Sequence, residues 1–187
     1  MNRHCVLLIF LLVSISFCVR LPKHYVIDLD APPRERWNEV VHDHLKYMPE
    51  FVRVAQGDKR HVITHPSLLV STVFIGIANA SGLALGHVVS MNILYDILAF
   101  DRKHVFKLGC TSIVAQSEDG VIYHGRNLDY EMGDLLKNVT ILVDFTQGKG
   151  SERKIVYSGV TFALSSTLLT GQNDAFSLSL NARCKFI

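Results

Sequence analysis

Apolar and polar positions along the chain fall into two textures. The alternating stretch Tyr25-Val26-Ile27-Asp28-Leu29-Asp30 has the period of two of a short strand, and Ala31-Pro32-Pro33 stops it. From Arg34 the apolar residues Trp37, Val40, Val41, Leu45 and Met48 recur at helical spacing. This predicts an amphipathic helix, interrupted at Pro49 and resumed through Phe51, Val52 and Ala55. A polar break at 57–61 precedes a second helical region at about 66–78, a turn at Asn79-Ala80-Ser81-Gly82, and a third helix over 85–100. In that last segment Val88, Val89, Met91, Leu94, Tyr95, Ile97 and Leu98 form an apolar surface too broad for a solitary exposed helix, so another layer must cover it.

From Cys110 the texture becomes β. Strands are expected at 111–116, 121–126, 139–146, 154–162 and 176–180, with turns at Asp119-Gly120, Gly148-Lys149-Gly150 and Gln172-Asn173-Asp174. Helices followed by antiparallel strands predict an α+β layered fold. An Asp-Gly pair between apolar, β-branched runs is a strong short-range hairpin signal. A hairpin there folds His124-Gly125-Arg126-Asn127-Leu128-Asp129 back beside Gly109-Cys110-Thr111-Ser112, which is expected to bring Arg126 and Asp129 into register with the Cys110 thiol.

The first 18 residues change the cellular picture. Arg3, a continuous apolar run at 5–15 and a small or polar tail read as a secretory signal peptide, shorter than the roughly 20 apolar residues of a spanning helix. The remainder of the chain is expected to be a single soluble domain on the secretory route, by the length prior for a chain of 187 residues. In that setting the triplets Asn79-Ala80-Ser81 and Asn138-Val139-Thr140 are candidate glycosylation sites. A net charge of +2 with interspersed signs excludes a dedicated nucleic-acid binder. Cys5 and Cys18 fall in the leader, which leaves Cys110 and Cys184, too few for a disulfide framework.

A lone cysteine among apolar strand residues is ordinarily structural. Its company argues otherwise here, because a cation such as Arg126 beside a thiol favours the thiolate. No cysteine and histidine cluster has zinc spacing and no glycine-rich phosphate loop follows a strand, so neither a metal nor a nucleotide cofactor is indicated. His124 shares the Arg126 face by alternation and is a candidate base for a Cys-His protease scheme, with a structural role as the alternative. His42, His44, His61, His65, His87 and His104 lack ligand spacing and read as surface or capping residues. A second source of base exists if the bond before Cys110 is broken. The new α-amine, with an ordinary pKa of about 7.7–8.0, then lies within reach of its own thiol.

The runs Cys-Thr-Ser-Ile-Val-Ala-Gln at 110–116 and Tyr-His-Gly-Arg-Asn-Leu-Asp-Tyr at 123–130 closely resemble the family of N-acylethanolamine-hydrolysing acid amidase and acid ceramidase. The likeness extends to Ile-Asp-Leu-Asp-Ala-Pro-Pro-Arg-Glu-Arg-Trp at 27–37, to Gly-Ile-Ala at 76–78 and Asn-Ile-Leu-Tyr-Asp at 92–96, and to Leu-Thr-Gly-Gln at 169–172. The resemblance implies an N-terminal-nucleophile hydrolase of αββα type, cut in the lysosome between Gly109 and Cys110. Residues 19–109 would form a helical α-subunit-like region that stays attached to a β-subunit-like region at 110–187. Cys110 would attack the carbonyl of a lipid amide, Arg126 and Asp129 would orient and polarise it, and the helices would present apolar surface to lipid at a membrane periphery.

Several departures shape further expectations. The family's β-subunit runs on past the point where this chain stops and carries there an asparagine that binds the oxyanion, so a C-terminally truncated member is expected. Asn181-Ala182-Arg183 stands where the family pattern has Asn-Glu-Arg, and the stretch 100–109 is longer than the family's link to the cysteine. The resemblance favours hydrolysis of N-acylethanolamines. Two alternatives stay open: a ceramidase, or a catalytically inactive truncated isoform or lipid-associated protein.

Overall fold

The structure is a computed structural model that describes residues 21–57, 72–100, 109–129 and 133–181. The leader, the beginning of the second expected helix at 66–71, the basic stretch at 101–104 and Cys184 lie outside the described residues. Strand β1 (Lys23–Asp28) buries Tyr25 and Ile27 and turns His24 and Val26 outward, as the alternating pattern predicts. Its partner is remote in sequence. β1 pairs in parallel with β4 (Thr140–Gln147), from Lys23 opposite Ile141 to Asp28 opposite Thr146. β5 (Lys154–Phe162), β6 (Thr170–Gln172) and β7 (Ser177–Ser179) then add antiparallel, giving the order β1-β4-β5-β6-β7. A separate antiparallel ribbon joins β2 (Gly109–Gln116) to β3 (Ile122–Asp129). The α+β class read from the sequence is the class found.

Parallel partners require a long crossover, and here that crossover carries helices α1 (Asn38–His44), α2 (Met48–Gly57), α3 (Thr72–Ser81) and α4 (Leu85–Phe100) together with the ribbon. The interruption expected at Pro49 is present, but it comes earlier, as a 3-10 turn over Leu45–Tyr47. Pro49 itself sits in the first turn of α2, where a missing N–H breaks no helical hydrogen bond. The turn expected at residues 79–82 is instead the end of α3. The Ser81 hydroxyl donates to the carbonyls of Ile77 and Ala78 at 2.7 and 3.3 Å, and the chain leaves through Gly82 at φ 70°, the left-handed ending that glycine favours. Helix α5 (Gly133–Val139) was not expected, since seven residues are too few to display a period.

The core lies between the helices and one face of the sheet, where Tyr25, Ile27, Ile141, Val143 and Phe145 meet Val40, Val41, Ile77 and Val88. Burial of each such side chain contributes about 1.5–3 kcal/mol. His44 belongs to this core, against the surface half of its reading, while its place in the last turn of α1 agrees with the capping half. It stands four residues after Val40 on the buried stripe, with Nδ1 2.7 Å from the Val40 carbonyl oxygen and its ring 6.0 Å from that of Tyr25. At the rim, Lys23 and Tyr25 both donate to the Asp43 carboxylate, tying β1 to α1. Those donors, the Lys23 bond foremost, hold Asp43 below the ordinary carboxylate range. Burial first, and then the Asp43 bond, push the Tyr25 hydroxyl up to about 12. Among the described residues no single helix is long and apolar enough to cross a membrane.

Two outcomes test this packing. Alanine at an open helical glycine stabilises by roughly 0.5–1 kcal/mol, but a Cβ on Gly76 would lie 2.1 Å from the Arg34 carbonyl oxygen. Gly76→Ala should therefore lower the urea midpoint, and an unchanged or raised midpoint would contradict the close approach. Because Asp43 is depressed in the folded state, its contribution exists at neutral pH and fades as pH falls through the carboxylate range. Thermal melts of Asp43→Asn should show a deficit at pH 7 that closes toward pH 3; a deficit independent of pH would refute the assignment.

Candidate active site

The ribbon is closed by a turn in which Ser117 N–H donates to the Val121 carbonyl and Gly120 N–H to the Ser117 carbonyl, both at 2.9 Å. Its register sets Cys110 opposite Leu128, Ser112 opposite Arg126 and Val114 opposite His124. Alternation therefore places Cys110, Ser112, His124 and Arg126 on one face. Arg126 Nη2 lies 3.6 Å from Cys110 Sγ and also donates to the Leu180 carbonyl. The pairing of thiol and guanidinium expected from the sequence is thus present. Cys110 is half-buried and forms no disulfide among the described residues.

Asp129 does not join them. The strand expected to end at Arg126 runs on to Asp129, so a spacing of three puts the carboxylate on the opposite face, across from Gly109. Its Oδ1 accepts from Asn127 Nδ2 at 2.8 Å, and a Cβ on Gly109 would lie 3.5 Å from its Oδ2. Asp129 accordingly flanks the Gly109–Cys110 segment rather than the sulfur. His124 is also engaged elsewhere. Its ring nitrogens meet the hydroxyls of Ser177 and Ser179 at 2.8 and 3.2 Å, while its strand partner is Val114.

Residues at the far end of the chain hold the ribbon; the sequence reading named 176–180 as a strand and Asn181 within a departure from the family pattern, but gave none of them a place at the site. Ser112 Oγ lies 2.7 Å from Ser179 Oγ and accepts from Asn181 Nδ2 at 2.9 Å. With the Arg126 bond to Leu180 and the His124 bonds, these contacts dock one ribbon face on the end of the five-stranded sheet. The signal was present in the chain, because Ser177 and Ser179 alternate with Phe176, Leu178 and Leu180, so both hydroxyls share a face. Arg126 Nε is buried with no hydrogen-bond partner, and no carboxylate pairs with Arg126 among the described residues. A cation left this way is prepared for an anion that arises beside it. Next to it opens a largely apolar cleft of about 350 Å³ between Leu128, Leu136, Thr140, Phe162 and Leu169. Among the described residues no group of three His, Cys, Asp or Glu side chains could hold a metal ion.

Comparison with known proteins adds the family. A model of the beta subunit of N-acylethanolamine-hydrolyzing acid amidase matches residues 21–56. N-acylethanolamine-hydrolyzing acid amidase of Caenorhabditis elegans is 47% identical over 195 residues, covering 95% of this chain and 53% of that protein. The chain belongs to the family of N-acylethanolamine-hydrolyzing acid amidase and acid ceramidase. The Mus musculus amidase is 33% identical over 98% of this chain and 53% of its own length, and Homo sapiens acid ceramidase 30% identical over 85% and 45%. The chain thus spans about half the length of the curated relatives it matches. A solved structure of the Caenorhabditis elegans amidase ortholog aligns with 48% of this chain and 100% of that one, at 38% identity and a TM-score of 0.38. The matched segment 21–56, which the family model describes under the beta subunit, lies within the region that the resemblance assigned to an α-subunit-like part.

The two candidate glycosylation triplets sit in different surroundings. Asn79 is exposed on α3, whereas Asn138 is half-buried near the end of α5, with the hydroxyl of its Thr140 donating to the Leu136 carbonyl at 2.7 Å. In a secretory host, Asn79→Gln should remove a glycosidase-sensitive mass increment and Asn138→Gln should not. The reverse pattern on a gel or by mass spectrometry would contradict this ordering.

Proposed function

We propose that this chain is the nucleophile-bearing part of a lysosomal amide hydrolase that releases fatty acid from N-acylethanolamines after a break between Gly109 and Cys110. The observation that carries the reading is the Arg126 guanidinium 3.6 Å from the Cys110 sulfur, without a carboxylate partner among the described residues. Hydrolysis at that break leaves Cys110 with a free α-amine. The amine takes the thiol proton, and the thiolate attacks the amide carbonyl. The tetrahedral oxyanion that forms draws on the Arg126 charge. Collapse breaks the C–N bond, the proton passes to the departing ethanolamine nitrogen, and the acyl group stays on sulfur as a thioester. Water, deprotonated by the same amine, releases the fatty acid and restores the thiol.

Other features support this assignment of roles. Asp129, flanking Gly109, is suited to holding the new ammonium group. The apolar cleft beside Arg126 suits an acyl chain. Hydrogen bonds between β1 and β4, and the core around them, would keep the two pieces together as a heterodimer after the break. Acid ceramidase among the relatives favours ceramide as the second substrate to test.

The test is hydrolysis of radiolabelled palmitoylethanolamide and ceramide at acid pH by the chain and two variants. Release of labelled fatty acid from the ethanolamide is expected, abolished by Cys110→Ala and reduced by about 10²–10³ in Arg126→Ala, the usual cost of an oxyanion donor. Turnover of ceramide alone would move the assignment to the ceramidase. Turnover that survives Cys110→Ala, or none from chain shown to be fully cut, would overturn the hydrolase reading in favour of an inactive, lipid-associated protein.

A further inference from the structure

On the helix side of the five-stranded sheet, across from the ribbon that bears Cys110, lies a larger cavity of about 550 Å³. Its walls include Ile27, Trp37, Val73, Phe145 and Leu168, and its rim carries Phe176 and Leu178, which are 60% and 41% exposed. This volume falls within the range of about 300–1,000 Å³ typical of ligand sites.

Five polar side chains interrupt the apolar lining, Arg36, Tyr157, Ser166, Gln172 and Asn173, and of these Arg36 alone is charged. Arg36 Nε donates to the Ala31 carbonyl at 2.9 Å and Nη2 to the Leu29 carbonyl at 2.7 Å, which fixes the plane of its guanidinium. Among the described residues no carboxylate pairs with it, and Tyr157 makes no side-chain hydrogen bond. Burial raises the Tyr157 hydroxyl pKa while the Arg36 charge opposes the rise, so the hydroxyl stays a neutral donor near a cation. A largely apolar chamber whose polar groups include one fixed cation matches an amphiphile with an acidic head and a single hydrocarbon chain, since carboxylates are the natural partner of a guanidinium.

We infer that this cavity binds a long-chain carboxylate, with its head at Arg36 and Tyr157 and its chain along Trp37, Phe145 and Leu168. The site is distinct from the cleft beside Arg126 and does not depend on hydrolysis, although its ligand class coincides with the acid that the proposed reaction would release. Occupancy would tie the loop after β1, which carries Arg36, to the segment between β6 and β7, which carries Phe176.

Trp37 makes the test local, because it is the chain's one tryptophan and lines the cavity. The chain is prepared as Cys110→Ala, so that failure of the hydrolase reading leaves the result untouched, and is titrated with 9,10-dibromostearate, whose bromines quench indole on contact. Saturable quenching is expected, with the methyl ester binding at least about ten-fold more weakly, the worth of one charged hydrogen bond. Arg36→Gln should erase that preference and Arg36→Lys should restore part of it. Phe176→Ser, at an exposed rim position that tolerates change, should weaken binding several-fold with the circular dichroism spectrum unchanged. Absent quenching, equal binding of acid and ester, or binding indifferent to both Arg36→Gln and Phe176→Ser would overturn the inference.

Discussion

Parallel pairing of β1 with β4 joins the beginning of the described chain to residues that come after Cys110, and most of the architecture depends on it. Six consecutive residues of β1 take their register from β4, which places Tyr25 and Ile27 level with Val143 and Phe145 and gives α1 and α3 a common apolar floor. Strands that pair in parallel need a long connection, so everything between residues 29 and 139 belongs to one crossover. The N-terminal region is therefore an edge strand and part of the core rather than a separable cover. A chain broken before Cys110 would still be held by that ladder and by the buried side chains around it, each contributing about 1.5–3 kcal/mol.

The ribbon is anchored differently. Its stabilising contacts to the main sheet run through polar side chains: Ser112 to Ser179 and Asn181, His124 to Ser177 and Ser179, and Arg126 to the Leu180 carbonyl. Ile113 and Tyr123 on its outer face remain more than half exposed. Polar docking fixes orientation without burying much surface, and this leaves the sulfur half-buried beside a guanidinium that lacks an acidic partner among the described residues. The five-stranded sheet thus presents two unlike surfaces, one packed on helices with a cavity at Arg36, the other meeting the ribbon and its cleft at Arg126.

Much of this was legible in the residues. Asp119-Gly120 announced the ribbon, and period-two alternation correctly put His124 and Arg126 on one face. The same rule, applied one step further, separates Asp129 from Arg126, and the expectation of a shared site failed because the strand was taken to end three residues early. The placement of Asp129 beside Gly109 depends on register, which the turn and the ladder set together. For His44 the capping alternative fits its bond to the Val40 carbonyl in the last turn of α1, but its burial was not legible, because residue type does not tell a buried polar side chain from an exposed one. The pairing of β1 with β4 left no local signature, since parallel partners are chosen by the packing of the crossover. Helix α5 and strand β6 are shorter than the periods that would reveal them.

Mass spectrometry of the purified chain after incubation at acid pH, under native and then denaturing conditions, tests the central claim most directly. The account predicts one species of full mass in the native spectrum, and on denaturation two pieces whose masses place the break between Gly109 and Cys110. A chain that stays whole when denatured, or a native spectrum in which the pieces have already separated, would contradict it.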